Sequence, residues 1–219
     1  GIVSGFSNLI TSNHVIIGGG FDNTAGAEKS FIGGGQFNVV DQSGIGGRVS
    51  FIGGGHRNQM FGDTSFIGGG SHNVVNLTAF YNFIGGGMLN SILTNDSSTI
   101  GGGALNRILA ESDASTIGGG MNNTIQTNSL VGFIGGGRGN TITDVDSATI
   151  GGGAMNLITT DADASTIGGG NNNTINSTSR SSTIGGGHTN TIGNASFSVT
   201  IGGGNSNDIG NTANYATIG

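Results

Sequence analysis

The sequence predicts an all-β protein, a parallel β-solenoid or β-roll, and three observations lead to this fold class. The tetrapeptide Ile-Gly-Gly-Gly recurs at spacings of 15 to 20 residues, apolar and polar residues alternate on both sides of it, and glycine supplies 48 of 219 residues. A fixed period is typical of repeat proteins, in which stacked neighbours bury a continuous core. We expect about 13 coils, each of one 15–17-residue repeat, in a single domain over residues 1–219 that is a fragment of a longer fibrous chain.

Each repeat opens with a short strand that ends at the motif isoleucine. In Ser165-Thr166-Ile167, the serine and the isoleucine share one face and the threonine points the other way. A helix is not expected, because each glycine in it would cost about 1 kcal/mol relative to alanine. The complete motifs have their isoleucines at Ile17, Ile32, Ile52, Ile67, Ile84, Ile100, Ile117, Ile134, Ile150, Ile167, Ile184 and Ile201.

The glycine triplet follows this strand. A turn needs one or two residues with positive φ, so three glycines require another cause. We expect a backbone of a neighbouring chain to approach too closely for a β-carbon, with triplets such as Gly135 to Gly137 lining an interchain contact. A polyglycine helical layer is the alternative.

A second short strand follows, and it carries the most regular polar residue of the chain. Its asparagine has the same strand parity as an apolar residue two positions later, as in Asn173-Thr174-Ile175, and parity places both inside. We predict an internal amide ladder, each side chain donating to the next coil and accepting from the last; a ligand-binding stripe is the alternative. This column contains Asn8, Asn23, Asn38, Asn58, Asn73, Asn90, Asn106, Asn123, Asn140, Asn156, Asn173, Asn190 and Asn207.

Repeats such as STIGGGNNNTINSTSRSSTIGGGHTNTIGNAS, from Ser165 to Ser196, resemble the head repeats of trimeric autotransporter adhesins, the YadA-like left-handed parallel β-roll. Similar repeats occur in bacteriophage tail fibres. The resemblance covers the whole chain. It implies a homotrimer of three thin solenoids side by side, a stiff projection from a cell or virion surface that binds host matrix or cells.

The position before each motif isoleucine divides the chain. It is Ile16, Phe31, Phe51, Phe66 and Phe83 in the first half, and mostly threonine in the second. A stack of Phe would be an aggregation hazard if exposed, so we predict that it is buried between chains or in a wider N-terminal coil; a ligand platform is the alternative. Regular threonines suggest ice binding, but the partner position of a Thr-x-Thr motif is glycine here. The threonines are Thr99, Thr116, Thr149, Thr166, Thr183, Thr200 and Thr217.

Composition excludes several function classes. Six Lys and Arg against twelve Asp and Glu give a net charge of −6, which argues against nucleic acid as a partner. No run of 18 apolar residues marks a membrane span in this segment. Carboxylate pairs such as Asp144 with Asp146 recur from coil to coil, so we interpret them as part of the repeat and predict no catalytic residue and no enzyme.

Two connections are candidate recognition loops. The insertion DQSGIGGRVS, residues 41–50, contains Arg48, and LTAFYN places Phe80 and Tyr81 in a connection. Loops that leave a regular coil are free to bind partners. Packing against a neighbouring chain is the alternative for both.

Six carboxylates share one column, four residues before a motif isoleucine: Glu28, Asp63, Asp96, Asp113, Asp146 and Asp163, of which the last four are the candidate metal ligands. Like charges about 5 Å apart repel by roughly 1 kcal/mol in water, so something should compensate them. Calcium bridging neighbouring coils is one hypothesis, and solvated side chains that splay apart are the other. No other cofactor is predicted.

These observations favour a non-enzymatic extracellular adhesin or fibre module that projects from a cell or virion surface and mediates attachment. The alternative is a purely structural shaft, of a phage tail fibre or a polymeric extracellular filament. Ice binding is the third hypothesis.

Overall fold

The computed structural model describes residues 1–41, 49–77 and 79–219, and it contains two compact units, Gly1–Asn106 and Arg107–Gly219. Both units are all-β, and none of the described residues lies in a helix. Each unit consists of two-residue strands that alternate between two parallel sheets.

The described part of the first unit has twelve strands. Odd-numbered strands form one sheet in the order β1-β3-β5-β7-β9-β11, and even-numbered strands form the other in the order β2-β4-β6-β8-β10-β12. The strands are β1 (Leu9–Ile10), β2 (Ile16–Ile17), β3 (Thr24–Ala25), β4 (Phe31–Ile32), β5 (Val39–Val40), β6 (Phe51–Ile52), β7 (Gln59–Met60), β8 (Phe66–Ile67), β9 (Val74–Val75), β10 (Phe83–Ile84), β11 (Ser91–Ile92) and β12 (Thr99–Ile100).

The second unit repeats this arrangement with fourteen strands. The odd strands from β13 to β25 form one sheet and the even strands from β14 to β26 the other. They are β13 (Arg107–Ile108), β14 (Thr116–Ile117), β15 (Thr124–Ile125), β16 (Phe133–Ile134), β17 (Thr141–Ile142), β18 (Thr149–Ile150), β19 (Leu157–Ile158), β20 (Thr166–Ile167), β21 (Thr174–Ile175), β22 (Thr183–Ile184), β23 (Thr191–Ile192), β24 (Thr200–Ile201), β25 (Asp208–Ile209) and β26 (Thr217–Ile218).

Each strand pairs in register with the equivalent strand one repeat later. Ile52 aligns with Ile67 in the first unit, and Ile167 with Ile184 in the second. One repeat therefore makes one coil, which confirms the predicted parallel β-solenoid.

The core of each unit lies between its two sheets. The second residue of nearly every strand points inward and is fully buried, for example Ile52 and Met60, or Ile167 and Ile175. Burying such a side chain contributes about 1.5–3 kcal/mol relative to leaving it in water. The two predicted strands of each repeat thus face each other across a thin apolar layer.

The corners of each coil are residues in the left-handed conformation, mostly without glycine. In the first unit they include His72 (φ 56°) and Tyr81 (φ 58°). Coils of the second unit have a third corner. In one of them the three corner residues are Asp161 (φ 58°), Ala164 (φ 55°) and Asn172 (φ 56°).

Candidate functional site

The asparagine column lies inside both units. In the first unit, Oδ1 of Asn58 accepts the backbone N–H of Asn73 at 3.0 Å, and its Nδ2 donates to the carbonyls of Gly54 at 2.9 Å and Gly70 at 3.0 Å. Asn58 and Asn73 are fully buried. Every hydrogen-bonding atom of the Asn58 side chain therefore has a partner, within its own coil or in a neighbouring one.

The second unit has the same geometry. Asn173 accepts from the backbone N–H of Asn190 at 3.0 Å and donates to Gly169 and Gly187 at 3.0 and 3.1 Å. Its Nδ2 also donates to Oδ1 of Asn156, in the preceding coil, at 3.1 Å. At Asn173 the amide-to-amide bond therefore runs opposite to the predicted direction, since the side chain donates to the amide of the preceding coil and accepts from the next coil.

The glycine triplets lie against the next coil of the same chain. A β-carbon on Gly70 would overlap the carbonyl oxygen of Gly87, and one on Gly68 would overlap that of Gly85. The middle residue, Gly69, has φ +156° and would place a β-carbon 3.7 Å from the Gly54 oxygen, an ordinary contact. Close approach of another backbone is thus found within one chain for Gly68 and Gly70, and the expected contact of the triplets with a neighbouring chain stays a prediction. The alternative of a helical glycine layer was wrong for the described residues.

Phe31, Phe51, Phe66 and Phe83, which we call the Phe column, lie on the outside of the first unit. Successive ring centroids are 4.8, 4.8 and 5.2 Å apart, and the planes differ by 6° or less. The column is not buried in a wider coil as predicted, because strand parity directs it away from the isoleucine. Each ring covers its neighbour's face, so the ring edges point to solvent, and Phe83 is 41% exposed.

A second aromatic column, which sequence analysis missed, lies beyond the glycine triplets of the first unit. It runs through Phe6, Phe21, Phe37, His56 and His72, with successive ring centroids 5.4 to 5.8 Å apart. The signal was present, since Phe6, Phe21 and His56 come directly after a glycine triplet or its degenerate copy. The column is hard to recognise in the sequence because Phe37 and His72 lie one residue further from the triplet than Phe6, Phe21 and His56 do.

In the second unit the position of the Phe column is occupied mainly by threonine. Thr149, Thr166, Thr183 and Thr200 align in successive strands. Two residues further along each strand path is a glycine, such as Gly168 after Thr166. The threonine column is therefore one residue wide on this sheet.

The candidate recognition residues fall in different places. Arg48 lies outside the described residues. Phe80 forms a parallel bridge with Asp63, and Tyr81 occupies a corner and is 62% exposed. These two aromatics thus belong to the stacked coil rather than to a protruding loop.

The carboxylates of the acidic column bind backbone N–H groups of the preceding coil. Oδ1 of Asp96 accepts from Phe80 at 3.0 Å, and Oδ1 of Asp163 accepts from Asp146 at 3.1 Å. Oδ2 of Asp163 also lies 3.3 Å from Nε of Arg180. Compensation of the like charges therefore comes from within the chain, a solution that sequence analysis did not consider.

A shallow groove of about 340 Å³ lies over the acidic residues of the second unit, with Glu111, Asp144, Asp146, Asp161 and Asp163 in its lining. Asp113 lies in the same column, and its backbone carbonyl accepts the N–H of Val131 at 3.0 Å. No group of three or more His, Asp or Glu side chains is placed to hold a metal ion anywhere in the described chain. The calcium hypothesis stays a prediction.

A second polar ladder, of serines, also escaped sequence analysis. Oγ of Ser165 donates to the carbonyl of Ser179 at 2.9 Å and accepts the backbone N–H of Ser182 at 3.1 Å. All three serines are buried, and each directly follows a corner residue of the second unit. A recurring serine two residues before the motif isoleucine was the available signal.

Comparison with known proteins assigns no family, because no protein-family model and no curated protein sequence matches the chain. The described residues include no helix that is both long and apolar enough to traverse a bilayer.

Proposed function

We propose that the chain is a non-enzymatic fibre module that mediates attachment outside the cell, at a cell or virion surface. The contrast between a closed interior and a patterned exterior carries this proposal. In the described residues, every buried side-chain nitrogen or oxygen has a hydrogen-bond partner. Because the interior is committed to stacking, the outer columns are what remains for partners.

We also propose that chains associate side by side through the Phe column, as a homotrimer. The stacked rings give the first unit a continuous apolar edge, and exposed apolar patches of this kind mark protein interfaces. The number three rests on the resemblance to trimeric autotransporter heads. The glycine triplets lend no support, because contacts within one chain explain them.

The second candidate is a structural shaft of a phage tail fibre or extracellular filament. The threonine column of the second unit favours it, since a polar, half-exposed column supports stacking and solubility without an adhesive patch.

Retention of protein-coated beads separates these two functions. Beads carrying the full chain are washed over cultured epithelial cells, immobilised collagen and immobilised mucin. An attachment module holds beads on at least one surface more strongly than beads without protein. Equal retention everywhere would contradict attachment and favour the shaft.

A further inference from the structure

An open groove of about 410 Å³ lies on the outside of the first unit. One side is formed by the corner residues Phe37, Arg57, His72 and Leu89 of four successive coils, and the other by Gln59 and Val74 of neighbouring strands β7 and β9. Sites for small ligands typically measure about 300–1,000 Å³. The groove therefore has the size of a small-ligand site.

The groove contains a cation without a carboxylate partner. None of the ion pairs among the described residues involves Arg57, and its guanidinium carbon lies 5.5 Å from the ring centroid of Phe37. No Asp or Glu is among the described residues that line the groove. Although the chain has a net charge of −6, the groove around Arg57 is therefore locally positive and suits an anion. A guanidinium is suited to binding a carboxylate through two parallel hydrogen bonds.

Further hydrogen-bonding groups flank the cation. Nδ1 of His72 lies 2.7 Å from Oγ of Ser71. When that hydroxyl donates to Nδ1, the imidazole proton is on Nε2, which can donate to a ligand. Gln59 is exposed and supplies an amide with two donors and an acceptor.

Apolar side chains complete the groove. Phe37, Val74 and Leu89 lie among the polar groups, and Leu89 is 44% exposed. An extended peptide would need a free strand edge for its backbone, but β7 already pairs with β5 and β9, and β9 with β11. A compact ligand with one apolar face, several hydroxyls and a carboxylate fits better.

We infer that this groove binds an acidic sugar, with Arg57 on the carboxylate, Gln59 and His72 on hydroxyls, and Phe37, Val74 and Leu89 against the C–H face of the ring. The inference deepens the proposed attachment function and rests on it, because the sugar would be the receptor group. The Phe column projects from the even-numbered sheet, whereas Gln59 and Val74 project from the odd-numbered sheet, so the two surfaces are distinct.

Binding of sugars to the purified full chain tests this directly. N-acetylneuraminic acid and glucuronic acid, two sources of a sugar carboxylate, are titrated to millimolar concentration beside N-acetylglucosamine and triglutamate, and binding is followed by NMR saturation transfer and calorimetry. We expect at least one acidic sugar to bind. Arg57→Gln should weaken it about tenfold, since a charge-assisted hydrogen bond is lost. Leu89→Asp, which adds a repelling carboxylate, should weaken it by a similar factor. Arg138→Gln is the matched control, an exposed arginine of the second unit, and should change nothing.

Several results would overturn the inference: no binding of either acid, equal binding of N-acetylglucosamine, tighter binding of triglutamate, or an Arg57→Gln variant that binds like the parent. The two proposals fail separately. If beads adhere and no acidic sugar binds, only the groove inference is wrong. If an acidic sugar binds and beads adhere nowhere, only the attachment function is wrong.

Discussion

The two units have the same interior and different exteriors. Isoleucine, asparagine and glycine columns recur in both with the same hydrogen bonds, as at Asn58 and Asn173. Outside, the first unit has two aromatic columns, whereas the second has threonines, an acidic groove and an additional corner.

This difference shows which positions the stacking determines. An inward position must fit the coil before and the coil after, so it stays apolar in the strands, mostly isoleucine, and asparagine in the polar column. An outward position meets no such requirement, and it can change from Phe to Thr while the strand pairing stays in register. Function that distinguishes the two units must therefore lie in the outer columns.

The largest expected effect is at the third glycine of a triplet. In Gly70→Ala and Gly170→Ala the new methyl group would overlap a carbonyl oxygen of the next coil, at φ +88° in both units. We expect each to destabilise the fold by about 4 kcal/mol or prevent folding. Thermal unfolding of the purified variants measures this effect.

The middle glycines provide the matched control. Gly69→Ala and Gly169→Ala have ordinary contacts of 3.7 and 4.0 Å and should cost less, about 1 to 3 kcal/mol, for the backbone conformation alone. If instead the middle variants were the more damaging and lowered the oligomer mass, a contact between chains would explain the triplets.

Next in size is the buried asparagine. Asn173→Ala leaves the backbone N–H of Asn190 and the carbonyl of Gly169 without a partner, while the carbonyl of Gly187 keeps the N–H of Asn171. We expect a loss of about 3 kcal/mol of stability. Asn58→Ala in the first unit should cost about the same. Chemical denaturation at equilibrium provides both values.

Asn171→Ala is the control for this change, because the equivalent residue one coil earlier is already Ala154. It should be nearly neutral. Asn172→Ala is a poorer control, since Asn172 is a corner with φ 56° and alanine costs about 1 kcal/mol there. Equal losses of unfolding free energy in Asn171→Ala and Asn173→Ala would mean that the hydrogen bonds of the buried amide do not stabilise the fold.

A smaller effect on stability for each substitution, with a larger effect on association, is expected from the Phe column. Replacing Phe31, Phe51, Phe66 and Phe83 by threonine makes the first unit resemble the second. We expect light scattering to show three chains for the parent and one for the variant, and each substitution to cost the folded chain about 1 kcal/mol of stacking.

Phe133→Thr is the matched change in the second unit, where this ring lies between Thr116 and Thr149 and has no aromatic neighbour in the column. It should leave the mass unchanged. A monomeric parent at micromolar concentration would contradict association through the Phe column.

The smallest effect is expected from calcium. Oδ1 of Asp146 and of Asp163 each accept a backbone N–H at 3.1 Å, and Asp163 also pairs with Arg180. Since these oxygens already have partners, we expect the melting temperature to be the same with calcium and with chelator. A rise that depends on calcium concentration and disappears in Asp146→Asn with Asp163→Asn would establish the bridging ion instead.

Sequence parity was enough to predict the coil, its two strands and the burial of the asparagines, because burial alternates along a strand. Parity also placed Phe51 and Ile52 on opposite faces, so the outward Phe column was foreseeable. The expectation that the column is buried in a wider coil was wrong. It rested on the argument that an exposed aromatic stack promotes aggregation, and it ignored the parity.

Other features depend on which segments of backbone come into contact between coils, and the sequence of a single repeat does not determine these contacts. The Gly70 triplet required a close neighbour, but only the pitch of the coil identifies that neighbour as Gly87 of the same chain. Likewise, corners such as Ala164 and Asp161 lack the glycine that usually marks positive φ. The groove at Arg57 is formed by residues of four coils, so no local sequence motif predicts it.

The bonds of the asparagine column also have a consequence for synthesis. Asn58 offers its acceptor to the N–H of Asn73, a residue made later, and Asn173 does the same for Asn190. A coil leaving the ribosome therefore meets an acceptor that is already in place, whereas donors such as Nδ2 of Asn58, which bonds to the carbonyl of Gly70, are satisfied when the next coil docks. At 5–20 residues per second, a coil is added about every 1 to 3 s. Each docking step closes a loop of about one repeat, a small entropic cost that does not grow as the array lengthens.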